Sequence, residues 1–111
     1  MNSTSILLPK SVFDCFEAVC QVPHPSKLEE KMIAFLEDFG KKLGLETLVD
    51  KTGNVLIKKP ATPGMENRKT VVLQSHFDMV CEKNNDTIFD FDNDAIQTYV
   101  DGEWMKAKGT T

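Results

Sequence analysis

The sequence has little that would suit a nucleic-acid or a membrane partner. Of its 111 residues 13 are basic and 17 acidic, a net charge of −4, whereas phosphate binding normally needs a basic face. Basic residues adjoin only as Lys41-Lys42, Lys58-Lys59 and Arg68-Lys69, pairs short enough to be the solvated ends of elements. No run approaches the ~20 apolar residues of a membrane span. The apolar Ile6-Leu7-Leu8 stops at Pro9, and Met1 to Ser5 has no basic side chain to open a secretory signal. The cysteines are few and odd in number (Cys15, Cys20 and Cys81) and lack CxxC spacing. Free thiols in a reducing, cytoplasmic setting are therefore expected rather than a disulfide framework. Internal repeats and low-complexity tracts are absent.

What is present is ordinary globular material, 41% hydrophobic and 27% charged. The length fits one small domain or a portion of a larger one, able to bury roughly two-thirds of the surface its unfolded chain exposes. Val12, Phe13, Phe16, Val19 and Cys20 recur on one helical face, which predicts a helix over about Ser11–Cys20. Pro23-His24-Pro25 ends it. Ser26 and Glu29 form an S-x-x-E capping box, and Leu28, Met32, Ile33, Leu36, Phe39 and Leu43 follow on one face. A second helix is expected over about Lys27–Leu43, closed by Gly44 at the left-handed C′ position. The phenylalanines Phe13, Phe16, Phe35 and Phe39 are core candidates on these faces rather than a cofactor box.

Beyond the helices the pattern turns to strands. Leu45–Val49 and Asn54–Lys58 read as a bulged hairpin around Asp50-Lys51-Thr52-Gly53. Pro60–Lys69 reads as an exposed loop. Thr70–Ser75, with Val71-Val72-Leu73 at its centre, reads as a strand covered on both faces. The polar segment Cys81–Asp94 reads as a loop. Ile96–Val100 and Glu103–Lys106 form a hairpin turning on Asp101-Gly102, a register that sets Tyr99 opposite Trp104. The fold class expected is α/β, two helices followed by a mixed β-sheet with hairpins.

The chemistry is sought at the carboxyl end of the apolar strand, where α/β folds place their sites. Gln74-Ser75-His76-Phe77-Asp78 stands there. On a strand, residues two apart share a side, so Asp78 could accept a hydrogen bond from one nitrogen of His76. The other nitrogen would then be left for a metal. A hydrogen-bonded structural histidine is the competing reading of so short a pair.

The wider run Gln74-Ser75-His76-Phe77-Asp78-Met79-Val80-Cys81-Glu82-Lys83-Asn84 resembles the first metal-ligand motif of the aminoacyl-histidine dipeptidases, within the di-zinc aminopeptidases, aminoacylases and carboxypeptidases. Gly53-Asn54-Val55, Lys59-Pro60-Ala61-Thr62-Pro63-Gly64-Met65 and the tail Asp101–Thr111 are similar to other stretches of that family, so the likeness runs from about Leu8 to the end. It implies that His76 is a metal ligand and that Asp78 is the catalytic-site aspartate that orients it. Phe77 stands where the family more often has leucine.

The resemblance implies two Zn2+ ions per site in the complete enzyme, lowering the pKa of a bridging water and polarising the scissile carbonyl while a glutamate moves the proton. Dipeptides such as aminoacyl-histidine would be the substrate, and a homodimer the assembly. It also implies that residues 1–111 are the N-terminal part of a metallopeptidase catalytic domain. The metal-bridging aspartate, the general base and the dimerisation or lid domain would lie beyond Thr111, so the chain alone is expected to be inactive.

Two further signals compete. Asp90, Asp92, Asp94 and Asp101 fall at positions 1, 3, 5 and 12 of an EF-hand loop, but Ala95 stands where that loop needs glycine and position 12 is not glutamate. Cys81 beside the motif invites a thiol-nucleophile reading, with His24 the other histidine in the chain. The alternative from a different class is a folded, catalytically silent module that self-associates through unpaired sheet edges.

Overall fold

The computed structural model describes residues 7–111; the expectation that no signal segment opens the chain falls largely on residues outside that range. Its elements are α1 (Lys10–Cys20), α2 (Glu30–Lys42), β1 (Glu46–Val49), β2 (Val55–Lys58), β3 (Thr98–Asp101) and β4 (Trp104–Ala107). The strands form two antiparallel pairs, β1 with β2 and β3 with β4. Helices followed by β-hairpins is the order the sequence implies. The chain divides into two compact units, one running to Met32 and resuming at Asp78–Thr111, the other Ile33–Phe77.

In the Ile33–Phe77 unit the close of α2 is the expected one. Gly44 has φ +68°, its N–H donates to Lys41 O (2.9 Å), and Leu45 N–H donates to Gly40 O (3.0 Å). These are the two bonds of a Schellman closure. Lys41 and Lys42 occupy the last turn, where the helix dipole favours cations, and pair with Glu37 and Asp38 at 2.6 Å. The hairpin sets Thr47 opposite Ile57 and Val49 opposite Val55. Gly40 is buried, and a Cβ there would fall 2.1 Å from Thr47 Oγ1 and 3.2 Å from Ile57 Cγ1. A side chain at that position would push the helix off the hairpin.

The loop joining β1 to β2 is the bulged turn read from the sequence. Gly53 N–H donates to Asp50 O (3.1 Å) and Asp50 N–H to Asn54 O (3.0 Å), with Gly53 at φ +92°. Its glycine lies at the left-handed position that ends such three-residue loops.

In the other unit Met32 is fully buried and Cys20 is 7% exposed. Cys20 O accepts from Ile96 N–H at 2.9 Å, which ties the end of α1 to the approach to β3. A cavity of about 230 Å3 opens here, lined mainly by apolar groups that include Phe16, Val19, Cys20, Met79, Ile96 and Met105.

Three expectations are corrected. First, α2 begins at Glu30, not near Lys27, because the capping box does not form. Ser26 Oγ is turned to Asp78, while Glu29 Oε1 accepts from Lys27 N–H at 2.6 Å. Second, Thr70–Ser75 is not a buried strand. It pairs with no neighbour among the described residues, and Val71, Val72 and Leu73 are 78%, 76% and 93% exposed. A strand of this composition needs flanking strands and covering layers, and none of the described residues supplies them.

Third, Tyr99 lies opposite Lys106, and Trp104 opposite Asp101. The turn is Gly102-Glu103, with Gly102 at φ +60°, the first-position glycine of a type II′ turn. This register puts Thr98, Val100, Met105 and Ala107 on the less exposed face. The expected one would have placed Glu103 among them.

Candidate active site

The site is built around Asp78–Asn84, which lies between two other segments of its own unit. On one side Met79 forms a parallel bridge with Pro25: Met79 N–H donates to His24 O (3.1 Å) and Ser26 N–H to Met79 O (3.0 Å). On the other side Lys83 forms an antiparallel bridge with Thr110. Thr111 N–H donates to Glu82 O (2.9 Å), and Asn84 N–H to Gly109 O (2.8 Å). Thr111 Oγ1 adds a bond to Val80 O at 2.6 Å. Two short stretches far apart in sequence thus hold this segment in place.

Asp78 is half-buried and accepts a hydrogen bond from Ser26 Oγ at 2.5 Å. A serine hydroxyl has one proton to give; Met79 O, at 3.2 Å from the same Oγ, is the more distant of its two acceptors. His76 is exposed, in the irregular stretch that follows Leu73, and its carbonyl accepts from Ser75 Oγ at 3.1 Å. His76 is next to last in the Ile33–Phe77 unit and Asp78 opens the resumption of the other. Because residues 70–78 are not in a ladder, the two-residue spacing alone no longer carries the argument that both side chains share a face.

The neighbouring groups bear on the competing readings. Burial pushes the Cys81 thiol up, and the Asp92 and Glu82 carboxylates push it further. A nucleophilic cysteine needs the opposite environment, one that favours thiolate. His24 Nδ1 donates to Val22 O at 2.5 Å, a local bond that engages one ring nitrogen. Asp90 is held low by the Asn93 side chain and by Asp92 N–H, bonds that fold the acidic loop on itself. Ser26 is the residue that sequence reasoning assigned elsewhere: its S-x-x-E spacing signals a helix cap, and no local pattern points to a partner 52 positions away.

No family model matches the chain. The cytosol non-specific dipeptidase of Escherichia coli (strain K12) is 52% identical over all 111 residues, which span 23% of that protein. The crystal structure of an aminoacylhistidine dipeptidase from Vibrio alginolyticus superposes with a TM-score of 0.92 at 52% identity, over 96% of this chain and 22% of that one. The resemblance read from the motifs therefore holds. The chain spans under a quarter of the length of the relatives it matches.

Zinc is the metal that this resemblance implies, and the chain fits it only in part. Imidazole and carboxylate are suitable donors, and His76 presents an exposed ring. Among the described residues, however, no group of three or more His, Cys, Asp or Glu side chains is placed to hold a metal ion. Hydrolytic zinc sites usually take three protein ligands and keep one position open. The donor chemistry fits and the number does not. What the chain's own residues build is a braced carboxylate, with an exposed histidine two positions before it in sequence.

Proposed function

We propose that this chain is the part of a zinc-dependent dipeptidase that supplies one metal ligand, His76, and the aspartate that orients it, Asp78. The observation that supports the reading most is the 52% identity, sustained over every residue, to a dipeptidase. In this reading residues 1–111 belong to a metallopeptidase catalytic domain. Its remaining ligands, general base and dimerisation domain are contributed by sequence that this chain does not contain. The substrate is a dipeptide with a free N-terminus, aminoacyl-histidine included, and the complete protein is a homodimer.

Zinc, when bound, supplies a low-pKa water and polarises the scissile carbonyl. The part assigned to Asp78 is to hold one His76 tautomer, so that the imidazole binds as a neutral ligand. A cytosolic location accords with the three free thiols and with the absence, among the described residues, of a helix long and apolar enough to cross a membrane.

In the protein at the length of its relatives, His76→Ala should lose bound zinc and most dipeptidase activity, read by metal analysis and by hydrolysis of an aminoacyl-histidine substrate. Full activity with a full complement of zinc would refute the assignment. A second reading concerns the 111-residue chain by itself, as a silent, self-associating module. The solvent-facing Val71-Val72-Leu73 run favours it.

A further inference from the structure

The first turn of α2 breaks a local rule, and the breach lies beside Asp78. Ser26 and Glu29 have the spacing of a capping box, which would satisfy two helix N–H groups at no cost elsewhere. Instead Ser26 Oγ donates to Asp78 Oδ2 at 2.5 Å. The helix starts later, at Glu30, and Lys27 takes a left-handed conformation at φ +74°. A lysine there is strained. Glu29 Oε1, diverted from the cap, steadies the strained turn by accepting from Lys27 N–H. Local conflicts of this kind, held by the surrounding structure, concentrate at functional sites.

We propose that Ser26 is a positioning residue for catalysis: its hydroxyl fixes the rotation of the Asp78 carboxylate, which the strained Lys27 turn keeps in place. The inference rests on the reading of Asp78 as the aspartate that orients the His76 ligand. The His24–Ser26 segment is suited to the task because it is anchored independently of the hydroxyl. Ser26 N–H donates to Met79 O (3.0 Å) and Met79 N–H to His24 O (3.1 Å), so main-chain bonds tie the His24–Ser26 segment to Met79, the residue next to the aspartate. Removing the Oγ therefore removes one direct hold on the carboxylate without releasing the segment.

The test uses the protein at the length of its relatives, with Ser26→Ala, Ser26→Thr and Asp78→Asn. Zinc affinity is measured by competition with a chromophoric chelator, alongside kcat and KM for an aminoacyl-histidine substrate. Ser26→Ala should weaken zinc binding and lower kcat by about 10-fold, the lower end of the effect of losing a partner behind a metal ligand, because Ser26 acts through Asp78. KM and melting temperature should stay near those of the parent, and Ser26→Thr, which restores a hydroxyl, should recover most of the loss. In the Asp78→Asn background Ser26→Ala should add little, because the two act as a unit.

Should the alanine variant not fold, Ser26→Cys keeps the volume, exchanges the hydroxyl for a weak donor and carries the same expectation. Parent-like zinc affinity and kcat in Ser26→Ala, with Asp78→Asn impaired, would overturn the role of Ser26 and leave the reading of Asp78 standing. If Asp78→Asn is itself parent-like, the reading of Asp78 fails first.

Discussion

Cys15 and Cys20 lie on the same helix in different surroundings. Cys15 is exposed and Cys20 buried. Burial pushes the Cys20 thiol up, and the nearby Glu17 carboxylate adds to the effect. Alkylation proceeds through the thiolate and requires access, so both factors protect Cys20. Brief treatment of the native chain with iodoacetamide at neutral pH should label Cys15 well before Cys20, and peptide mapping would read the difference. Prior denaturation should abolish it. Equal native rates would show that the seat of α1 is open. Cys20 was legible in the sequence because it shares a helical face with Val12, Phe13, Phe16 and Val19. Ser26 was not, because its neighbours in sequence spell a cap while its partner lies on another segment.

Among the elements, the β1–β2 hairpin shows how one side chain can define a turn. Asp50 Oδ1 accepts from Thr52 N–H (2.8 Å), Thr52 Oγ1 (2.8 Å) and Asn54 N–H (2.9 Å), and Oδ2 accepts from Asn54 Nδ2 (2.8 Å). The bonds from the Asn54 and Thr52 side chains, with the backbone N–H groups, hold the carboxyl well below the usual carboxylate range. A group depressed in the folded state contributes stability above its unfolded pKa, about 3.9 for aspartate, and loses it as pH falls toward the folded value. Asp50→Ala should therefore be less stable than the parent in denaturant at pH 7, with a deficit that shrinks below about pH 4. A deficit of the same size at every pH would mean that the charge of Asp50 plays no part.

This hairpin could be read in advance because its signals are local: a glycine at the loop end and a short β-type run on each side. The β3–β4 hairpin was read one residue out on each strand. Asp101-Gly102 and Gly102-Glu103 are both acceptable turns, and the choice falls to the faces. The register found keeps Val100 opposite Met105 and leaves Asp101 and Lys106 to pair at 2.6 Å on the outer face. Likewise the start of α2 could not be placed while the cap residue had a distant competitor.

For the whole molecule, what the chain leaves uncovered matters more than what it buries. Each two-stranded sheet has an outer edge on both strands that is unpaired among the described residues, and such edges template association. Leu48 and Leu56 lie opposite each other on the exposed face of their hairpin. Val71-Val72-Leu73 is more extreme, three consecutive apolar side chains at least three-quarters in solvent. The sequence marked this run as something to be covered from both sides. Among the described residues nothing covers it, so periodicity alone misplaced the run.

The net charge of −4 gives only weak repulsion between copies, so the apolar run should decide the outcome. The 111-residue chain should scatter light as oligomers, and Leu73→Lys should shift it toward monomer, since a charge in an exposed apolar run opposes its pairing with another copy. In the protein at the length of its relatives the same substitution should instead lower the melting temperature, because a covered leucine would there be replaced by a buried, unpaired ammonium. A parent chain that is cleanly monomeric at high concentration would sink the self-association reading. Parent-like stability of Leu73→Lys at full length would show that the run is not covered there either.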